Sequence, residues 1–498
     1  MSLPEVPDHC QVLVVGGGPG GSTAAHLLKR AGHEVTLLER ATFPRYHIGE
    51  SLQPSVLTVL DRLGLRERLL ERGFVKKYGI YNEWGGQTWG FEFASIPNHE
   101  AHSFHVIRSE FDQMLLEAAQ ASGVKVFEGA EVVALDWDGD RPVAARWRSV
   151  ANGEGSEHTI SFDRLIDASG KAGLISTRYL KNRRFNEGFQ NVAIWCYWRD
   201  TQPINAGPVG AIAVATVGNG WLWFIPLHDG TLNVGLVVHR DEFKRRRKSS
   251  DDLLELYLDA IAECPLGRRL TKGAERISDP RVEQDYSYAA NSFAGPGYFV
   301  VGDAACFVDP LLATGVHLAM YSALLAAAAT ASLVRGELPE AEVVAFYDRS
   351  YRESYLRTLV MVASFYQLVD DRESVFWKAQ SLANEDFSGG PDNSAFISIV
   401  AGREDILNSA DPARALVHHV RSVQRHMFEF MSDPEQLERL TAMSPAELSE
   451  LMGKGAELQS YADGRVSLHD REMRSLFIAP APELGLRRAP AATPTASY

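Results

Sequence analysis

The N-terminal part of the chain places short apolar runs on either side of one helical pattern. Residues 11–15 are apolar and rich in β-branched side chains, which predicts a buried strand. A glycine-rich turn follows, then a helical pattern over residues 22–30 that stops at Gly32, and then a second strand that ends at Glu39. This succession of strand, tight turn, helix and strand predicts an α/β domain.

The middle of the chain instead alternates apolar and polar positions as antiparallel strands do, over residues 192–198, 210–217, 221–226 and 232–238. We expect a separate antiparallel sheet there. The apolar run from Leu318 to Val334 is shorter than the ~20 residues that a membrane span needs, so it predicts a buried helix. Helical patterns such as Glu342 to Met361 and Pro434 to Met452 dominate afterwards, and residues 480–498, rich in Ala and Pro, should form a loose tail.

The glycine-rich turn matches the G-x-G-x-x-G fingerprint of dinucleotide-binding domains. The first glycine permits the tight turn, the second lets the backbone approach a pyrophosphate, and the third lets helix and strand pack closely. The pyrophosphate should lie on the helix N-terminus, and the carboxylate that ends the second strand should bind the adenosine ribose. The predicted contacts at this end are Gly16, Gly18, Pro19, Gly20, Gly21, Ser22, Glu39 and Arg40.

Two later segments favour FAD over NAD. Residues 300–305 and residues 165–170 each repeat the pattern of a strand followed by a turn that contains aspartate and glycine. The aspartate of residues 300–305 can bond the ribityl and pyrophosphate region of an extended FAD. Together with an arginine at a helix start, these segments resemble the two-domain FAD oxidoreductases of the aromatic hydroxylase type. The contacts that this resemblance implies are Ser51, Arg108, Asp167, Gly302, Asp303 and Gly315.

Composition narrows the function classes. With 50 Lys and Arg against 64 Asp and Glu, the net charge of −14 argues against nucleic acid as a partner and disfavours attraction to an anionic membrane. The four cysteines are scattered without a C-x-x-C pair, and no motif indicates a metal site. The first residues do not have the pattern of a signal peptide, so we expect a cytoplasmic protein.

Three further segments resemble motifs of the flavin-dependent halogenases. They are the W-x-W-x-I-P sequence of Trp221 to Pro226, the P-R-x-x-x-G-E-S region of Pro44 to Pro54, and the segment from Phe307 to His317. The resemblance covers roughly residues 10–335 and is closer to halogenases of phenols and polyketide-like aromatics than to the tryptophan type. In this family the strand that carries Trp221 and Trp223 is taken to keep the organic substrate away from the flavin.

The resemblance implies a reaction and its participants. Reduced FAD, O2 and chloride or bromide yield hypohalous acid, which travels through a tunnel to a lysine and then halogenates an electron-rich, phenolic natural-product ring. A separate flavin reductase supplies the reduced FAD, since the chain has no second dinucleotide fingerprint. The aromatic substrate is either free or tethered to a carrier protein, and the sequence leaves that choice open.

The family places the catalytic lysine in a G-F-x-x-K-x-G context, which corresponds here to residues 73–79. Lys77 keeps the K-x-G spacing and is our candidate, with Lys76 as the alternative. The halide site that the family pattern and physical chemistry indicate is Thr314-Gly315, where unpaired N–H groups at a helix start attract an anion. The same N–H groups would alternatively cap the helix or support the reduced flavin.

We therefore predict a discontinuous FAD-binding domain of residues 1–185 and 286–335, a substrate-side sheet domain of residues 186–285, and a helical region of residues 336–498. The main alternative function is a flavin-dependent aromatic monooxygenase, which shares the dinucleotide motifs but does not call for Lys77 or the paired tryptophans. A second alternative is a saturating reductase of isoprenoid chains. Three histidines, His47, His105 and His317, are unranked candidates for a base that activates a phenol.

Overall fold

The computed structural model describes residues 6–95, 100–150, 157–186, 189–218, 220–247, 253–284, 287–370, 476–479 and 483–488. The helices are α1 (Pro19–Arg30), α2 (Ser55–Leu63), α3 (Arg66–Glu71), α4 (Arg108–Ala121), α5 (Arg240–Arg247), α6 (Leu253–Glu263), α7 (Pro265–Leu270), α8 (Gly315–Val334) and α9 (Glu340–Asp370). The helix expected at Pro434 to Met452 lies outside the described residues.

The strands before residue 200 are β1 (His9–Val15), β2 (Val35–Glu39), β3 (Val75–Lys77), β4 (Gly79–Trp84), β5 (Gln87–Glu92), β6 (Ser103–His105), β7 (Lys125–Glu128), β8 (Ala130–Asp138), β9 (Arg141–Ser149), β10 (His158–Asp167), β11 (Arg183–Phe185) and β12 (Asn191–Arg199). The later strands are β13 (Ile212–Val217), β14 (Gly220–Pro226), β15 (Leu232–His239), β16 (Glu275–Arg276), β17 (Arg281–Gln284), β18 (Tyr288–Ala290), β19 (Ala294–Gly295), β20 (Tyr298–Val300), β21 (Cys306–Phe307), β22 (Leu476–Ala479) and β23 (Gly485–Arg488).

The first large sheet has the order β19-β20-β10-β1-β2-β7, extended by β9 and β8. Its central pairs, from β20 through β10, β1 and β2 to β7, are parallel, so their carboxyl ends share one edge. The strands are apolar and buried, as expected for a sheet covered on both faces. The α/β fold with a Rossmann-like FAD-binding part is thus the architecture observed.

The second large sheet has the order β16-β12-β15-β14-β13-β4-β5. Alternate residues of its strands face two different cores: Trp221 and Trp223 face the first sheet's side, while Leu222 and Phe224 pack with α6 and α7. Two strands from residues 79–92 extend this sheet on the far side of β13, a contribution that the sequence analysis did not anticipate.

The apolar helix α8 lies in the core of the FAD-binding part. It is the one described helix that is long and apolar enough to cross a membrane, but its whole apolar window is buried inside the protein. The buried helix predicted for this segment is confirmed. The segment expected to be a loose tail differs from that prediction, because Leu486 of β23 is buried and its N–H donates to Ser332 of α8 at 2.8 Å. The β22–β23 hairpin is thereby fixed to α8.

Candidate active site

A cavity of about 560 Å³ lies at the carboxyl ends of the parallel strands of the first sheet. The residues that follow β1, β2, β10 and β20 all line it, because parallel strands bring their carboxyl ends to the same edge. The second sheet closes the opposite side through Ala193, Trp195, Ile212, Trp223 and Ile225. Segments separated by some 300 residues in the sequence thus meet in one site.

The geometry of the glycine-rich turn explains its composition. Gly16 has a φ of +105°, and a Cβ atom there would lie 2.2 Å from the carbonyl oxygen of Ala168. A Cβ atom at Gly21 would lie 1.8 Å from the carbonyl oxygen of Gly16, so any side chain would separate α1 from β1. At Gly18 the nearest atom to such a Cβ is the Arg45 guanidinium, at 3.2 Å, which leaves its backbone open toward the cavity.

Most of the predicted cofactor and halide residues line this cavity. Those that do are Gly16, Gly18, Pro19, Gly20, Glu39, Arg40, Ser51, Arg108, Gly302, Asp303, Thr314 and Gly315. Glu39 is held at the end of β2 because its carboxylate accepts hydrogen bonds from the N–H groups of Gly17 and Ala41, both at 2.6 Å.

Gly21, Ser22 and Asp167 do not line the cavity but support residues that do. The Ser22 hydroxyl donates to the carbonyl oxygen of Gly17 at 2.8 Å. The Asp167 carboxylate is fully buried and accepts from the N–H groups of Ser169 at 3.1 Å and Ile175 at 2.8 Å. Asp167 therefore fixes the turn after β10 from behind.

Two charged side chains, those of Arg108 and Asp303, line the cavity. Arg108 is the first residue of α4, forms a buried ion pair with Asp112, and donates to the carbonyl oxygen of Ile48 at 2.6 Å. Burial raises the pKa of Asp303 to about 6, and the positive charge of Arg108 opposes part of that rise. The two side chains give the cavity a basic and a weakly acidic wall.

The predicted halide residues begin α8. Thr314 is the N-cap residue, and Ala313 before it has a φ of +53°, which turns the chain into the helix. The Thr314 hydroxyl is buried and has no hydrogen-bond partner among the described residues. A polar group oriented in this way at a helix start is available to an anion or to a flavin oxygen.

The two tryptophans of β14 have different positions. Trp223 lines the cavity, whereas Trp221 lies behind it, with its ring centroid 6.3 Å from that of Trp84. The Trp223 indole lies flat along β15: a Cβ atom at Gly235 would be 2.0 Å from it, and its Nε1 donates to Asn233 Oδ1 at 3.0 Å. Trp223 is therefore a fixed wall of the cavity.

Lys77 is 1% exposed, at the end of β3. Its Nζ donates to Ser51 Oγ at 2.8 Å and to the carbonyl oxygen of Leu52 at 3.1 Å. Burial lowers the pKa of Lys77 to about 7, and no carboxylate in the described part of the chain pairs with it. The neighbouring Lys76 is exposed, which makes the two candidate lysines physically distinct.

The strand pairing explains this arrangement. Strand β6 lies between β3 and the extended segment of residues 50–52: Lys77 pairs with Ser103, and Ser51 forms a bridge with His105. Paired and alternate residues share one face of such a sheet, so Lys77 and Ser51 meet across β6. Since Ser51 also lines the cavity, a single serine connects the lysine to the cavity wall.

The three candidate histidines lie apart. His105 is on the face that carries Lys77, its Nε2 lies 2.9 Å from the carbonyl oxygen of Gly210, and burial lowers its pKa well below the usual value. His317 lies 2.8 Å from the Ser55 hydroxyl, inside the first core. His47 lines the cavity and is exposed. Of the three, only His105 faces the lysine.

Glu50 is a site residue that the sequence analysis missed, although it quoted the G-E-S segment. It lines the cavity and is 2% exposed. Its carboxylate accepts from the Tyr197 hydroxyl at 2.8 Å and from Asn233 Nδ2 at 2.6 Å. Burial raises the pKa of Glu50 to about 7. Its partners are strand residues far along the chain, so the motif alone gave no signal of this network.

Comparison with known proteins identifies relatives of the whole arrangement. The chain matches the family described as tryptophan halogenase over residues 11–104 and 95–411. It is 44% identical to a tryptophan 2-halogenase from Chondromyces crocatus over 445 residues, which cover 88% of this chain and 83% of that protein. It is 36% identical to the sulochrin halogenase gedL from Aspergillus terreus over 490 residues, which cover 90% and 88% of the two chains.

Among solved structures, the chain superposes on the myxobacterial chondrochloren halogenase CndH with a TM-score of 0.68 at 36% identity. The superposition covers 80% of this chain and 91% of that one. These matches confirm the resemblance inferred from the motifs, together with the fold and the dependence on FAD.

Proposed function

The chain belongs to the flavin-dependent halogenase family, and we propose that Lys77 transfers the halogen to a phenolic ring of a natural product. Halogenation of aromatic compounds with reduced FAD, O2 and halide is the function of this protein. Members of the family generally depend on a separate flavin reductase.

We place the FAD in the cavity at the edge of the first sheet. The glycine-rich turn and the start of α1 would hold the pyrophosphate, and Glu39 the ribose. Arg108 and Asp303 would contact the flavin end, where the buried Thr314 hydroxyl has room for a polar partner. When bound in its reduced form, FAD would supply two electrons to O2, which brings the oxygen to the level at which it oxidises the halide to hypohalous acid.

The observation that carries the proposed role of Lys77 is its contact with Ser51. A buried amine with a pKa of about 7 is in large part neutral at physiological pH, and a neutral amine is the form that reacts with an electrophilic halogen. Its hydrogen bond to a residue of the cavity wall gives the small oxidant a short route to it. Lys76, in contrast, is exposed.

The substrate class is proposed from chemistry. An electrophilic halogen reacts with electron-rich rings, which include phenols, and His105 beside Lys77 is the candidate base for a phenol. Trp223 belongs to the second sheet and forms a fixed wall of the cavity. This wall supports a substrate that binds on the lysine side instead of beside the flavin. A carrier-tethered phenol is compatible with this arrangement and belongs in the substrate panel.

The test is an assay of purified protein with FAD, a flavin reductase, NADH and O2, with and without chloride or bromide, read by mass spectrometry. The substrates are monochlorodimedone, simple phenols, a phenol on a carrier protein, and tryptophan. Halide-dependent gain of the halogen isotope pattern on phenols supports the proposal. Halogenation of tryptophan alone contradicts the phenolic assignment, and gain of oxygen without halide contradicts a halogen transfer.

A further inference from the structure

A chain of hydrogen bonds connects Tyr46, a partly exposed residue of the cavity wall, to the carboxyl group of Glu50. Tyr46 lines the cavity and is 42% exposed, and its hydroxyl lies 3.1 Å from the hydroxyl of Tyr197. The Tyr197 hydroxyl in turn donates to Glu50 Oε1 at 2.8 Å. The Trp195 indole donates to Tyr46 at 2.7 Å, and the Arg281 guanidinium stacks on the Tyr46 ring at 3.8 Å, so the outer end of this chain is fixed.

The charges around Glu50 allow it to hold a proton near neutral pH. Burial raises the pKa of its carboxyl group to about 7, and the negative charge of Asp229 acts in the same direction. The hydrogen bonds from Tyr197 and Asn233 and the positive charge of Arg108 oppose the rise. The carboxylate that remains after proton loss keeps these two donors, which stabilise it.

The phenols differ from Glu50 in acidity. Burial raises the pKa values of Tyr46 and Tyr197 above the ordinary value for tyrosine. They therefore stay protonated near neutral pH, and each hydroxyl both donates and accepts a hydrogen bond. Such a pair can pass a proton along the chain without becoming charged for long, which makes it a connection between solvent and the buried carboxyl.

The halogenase reaction consumes a proton inside the cavity. Neutral reduced FAD, one O2, one halide ion and one proton give oxidised FAD, one hypohalous acid and one water. Two electrons come from the flavin and two from the halide, and all four reduce the two oxygen atoms. The extra proton must reach the oxygen atom that leaves as water.

We propose that Glu50 donates this proton, and that Tyr197 and Tyr46 then return a proton to it from solvent. The inference rests on the halogenase activity, since that reaction is what consumes the proton. Glu50 lines the cavity that holds the predicted FAD contacts, and from this we infer that its carboxyl group serves the oxygen that is reduced there. In this reaction it acts as a general acid, while the two phenols act only through it.

The test compares Glu50→Gln and Tyr197→Phe with a matched control. Tyr257→Phe is that control, because Tyr257 is a buried tyrosine on the other side of the same sheet, bonded to the Trp198 indole at 2.9 Å and to the carbonyl oxygen of Val234 at 2.8 Å. Each variant is loaded with FAD first, and its FAD affinity checks that the site has folded.

The first readout needs no turnover. Infrared spectra of the FAD-loaded oxidised protein should show a protonated carboxyl band that titrates near neutral pH in the wild type and is lost in Glu50→Gln. The second readout is hypohalous acid trapped by monochlorodimedone, which requires neither Lys77 nor the native substrate. We expect Glu50→Gln to lower its formation about 100-fold or more, with released hydrogen peroxide in its place.

Tyr197→Phe should keep the carboxyl band but slow hypohalous acid formation, and Tyr257→Phe should match the wild type. A Glu50→Gln enzyme with the wild-type rate and pH profile, or a wild type without a neutral-range carboxyl band that Glu50→Gln removes, would overturn the inference. If the wild type forms hypohalous acid but halogenates no phenol, the proposed substrate class is wrong. The proton donation by Glu50 is still tested in that case, because its readout is hypohalous acid formation.

Discussion

The carboxyl group of Glu50 and the amine of Lys77 are buried on opposite faces of one short segment, yet their neighbours differ. Successive residues of an extended segment point to opposite faces, so Glu50 faces the second sheet while Ser51 faces Lys77. Burial shifts both pKa values to about 7, upward for the acid and downward for the amine. Burial is the largest cause of both shifts, and it moves the pKa of the acid and that of the amine toward the same working pH.

What separates the two groups is their hydrogen bonding. Glu50 accepts from Tyr197 and Asn233, and the hydroxyl chain continues to exposed Tyr46. In the described part of the chain the Lys77 amine donates hydrogen bonds to Ser51 and Leu52. The Ser103 hydroxyl and the His105 Nδ1 nearby have no partner among the same residues. The acid is connected for proton exchange, whereas the amine is isolated in its neutral form.

The largest expected effect comes from removing the amine. Lys77→Met should abolish halogenation of the aromatic substrate but leave formation of hypohalous acid intact, because the oxidant forms on the Glu50 side. Product mass spectra and monochlorodimedone trapping measure the two activities separately. Lys76→Met is the matched control, since Lys76 is exposed, and it should behave as the wild type. Loss of both activities in Lys77→Met would show that formation of hypohalous acid also depends on Lys77.

The pH dependence of the aromatic halogenation should be bell-shaped, with its maximum near pH 7. Below about 7 the amine of Lys77 becomes charged and unreactive, and above about 7 Glu50 loses its proton. Each limb should fall roughly tenfold per pH unit. In Lys77→Met, hypohalous acid formation should keep the alkaline limb and lose the acid one. If the acid limb is unchanged in Lys77→Met, a group other than Lys77 causes it.

Asn233→Leu changes the surroundings of Glu50 and leaves those of Lys77 unchanged. It removes the amide that donates to Glu50 at 2.6 Å and accepts from Trp223 at 3.0 Å. A hydrogen bond to a carboxylate is worth about 1.5–3 kcal/mol, so the pKa of Glu50 should rise by about one to two units. The infrared carboxyl band measures this shift. The acid limb, which belongs to Lys77, should stay in place.

The last prediction concerns stability instead of activity. The pKa of Lys77 is about 7 in the folded protein and near 10.5 when unfolded, so the unfolded chain binds more protons between these values. The free energy of unfolding of the wild type therefore falls as the pH drops from 10.5 to 7. Below pH 7 the contribution of Lys77 to this free energy is constant. Lys77→Met should gain stability relative to the wild type across that window, by on the order of a few kcal/mol. Calorimetry at several pH values, with Lys76→Met as control, measures this.

Local sequence patterns predicted much of the fold and those parts of the site that single short segments form. The glycine-rich turn, Glu39 and the strand of Trp221 and Trp223 are set by short stretches of sequence, and they form the elements expected. The K-x-G spacing favoured Lys77, and the burial of that residue in the structure separates it from Lys76.

The sequence could not reveal relations between distant segments. Glu50 was visible in its motif, but its importance depends on Tyr197 and Asn233, which reach it only through the pairing of β12 with β15. Ser22 and Asp167 were expected to touch the cofactor, yet they bond to the backbone behind the lining. Whether a polar side chain faces a cavity or supports its wall is decided by packing that no local pattern records.

The hairpin of β22 and β23 has a consequence for the covalent integrity of the chain. Helix α9 packs against α8 before Asp370. After Leu476 the hairpin binds α8 through the Leu486 N–H and binds α9 through an ion pair of Arg488 with Glu342 at 2.6 Å. A single cut by a protease between Asp370 and Leu476 would thus leave both pieces joined without a peptide bond. Two fragments should separate on a denaturing gel but elute together from a native column, as in a split protein.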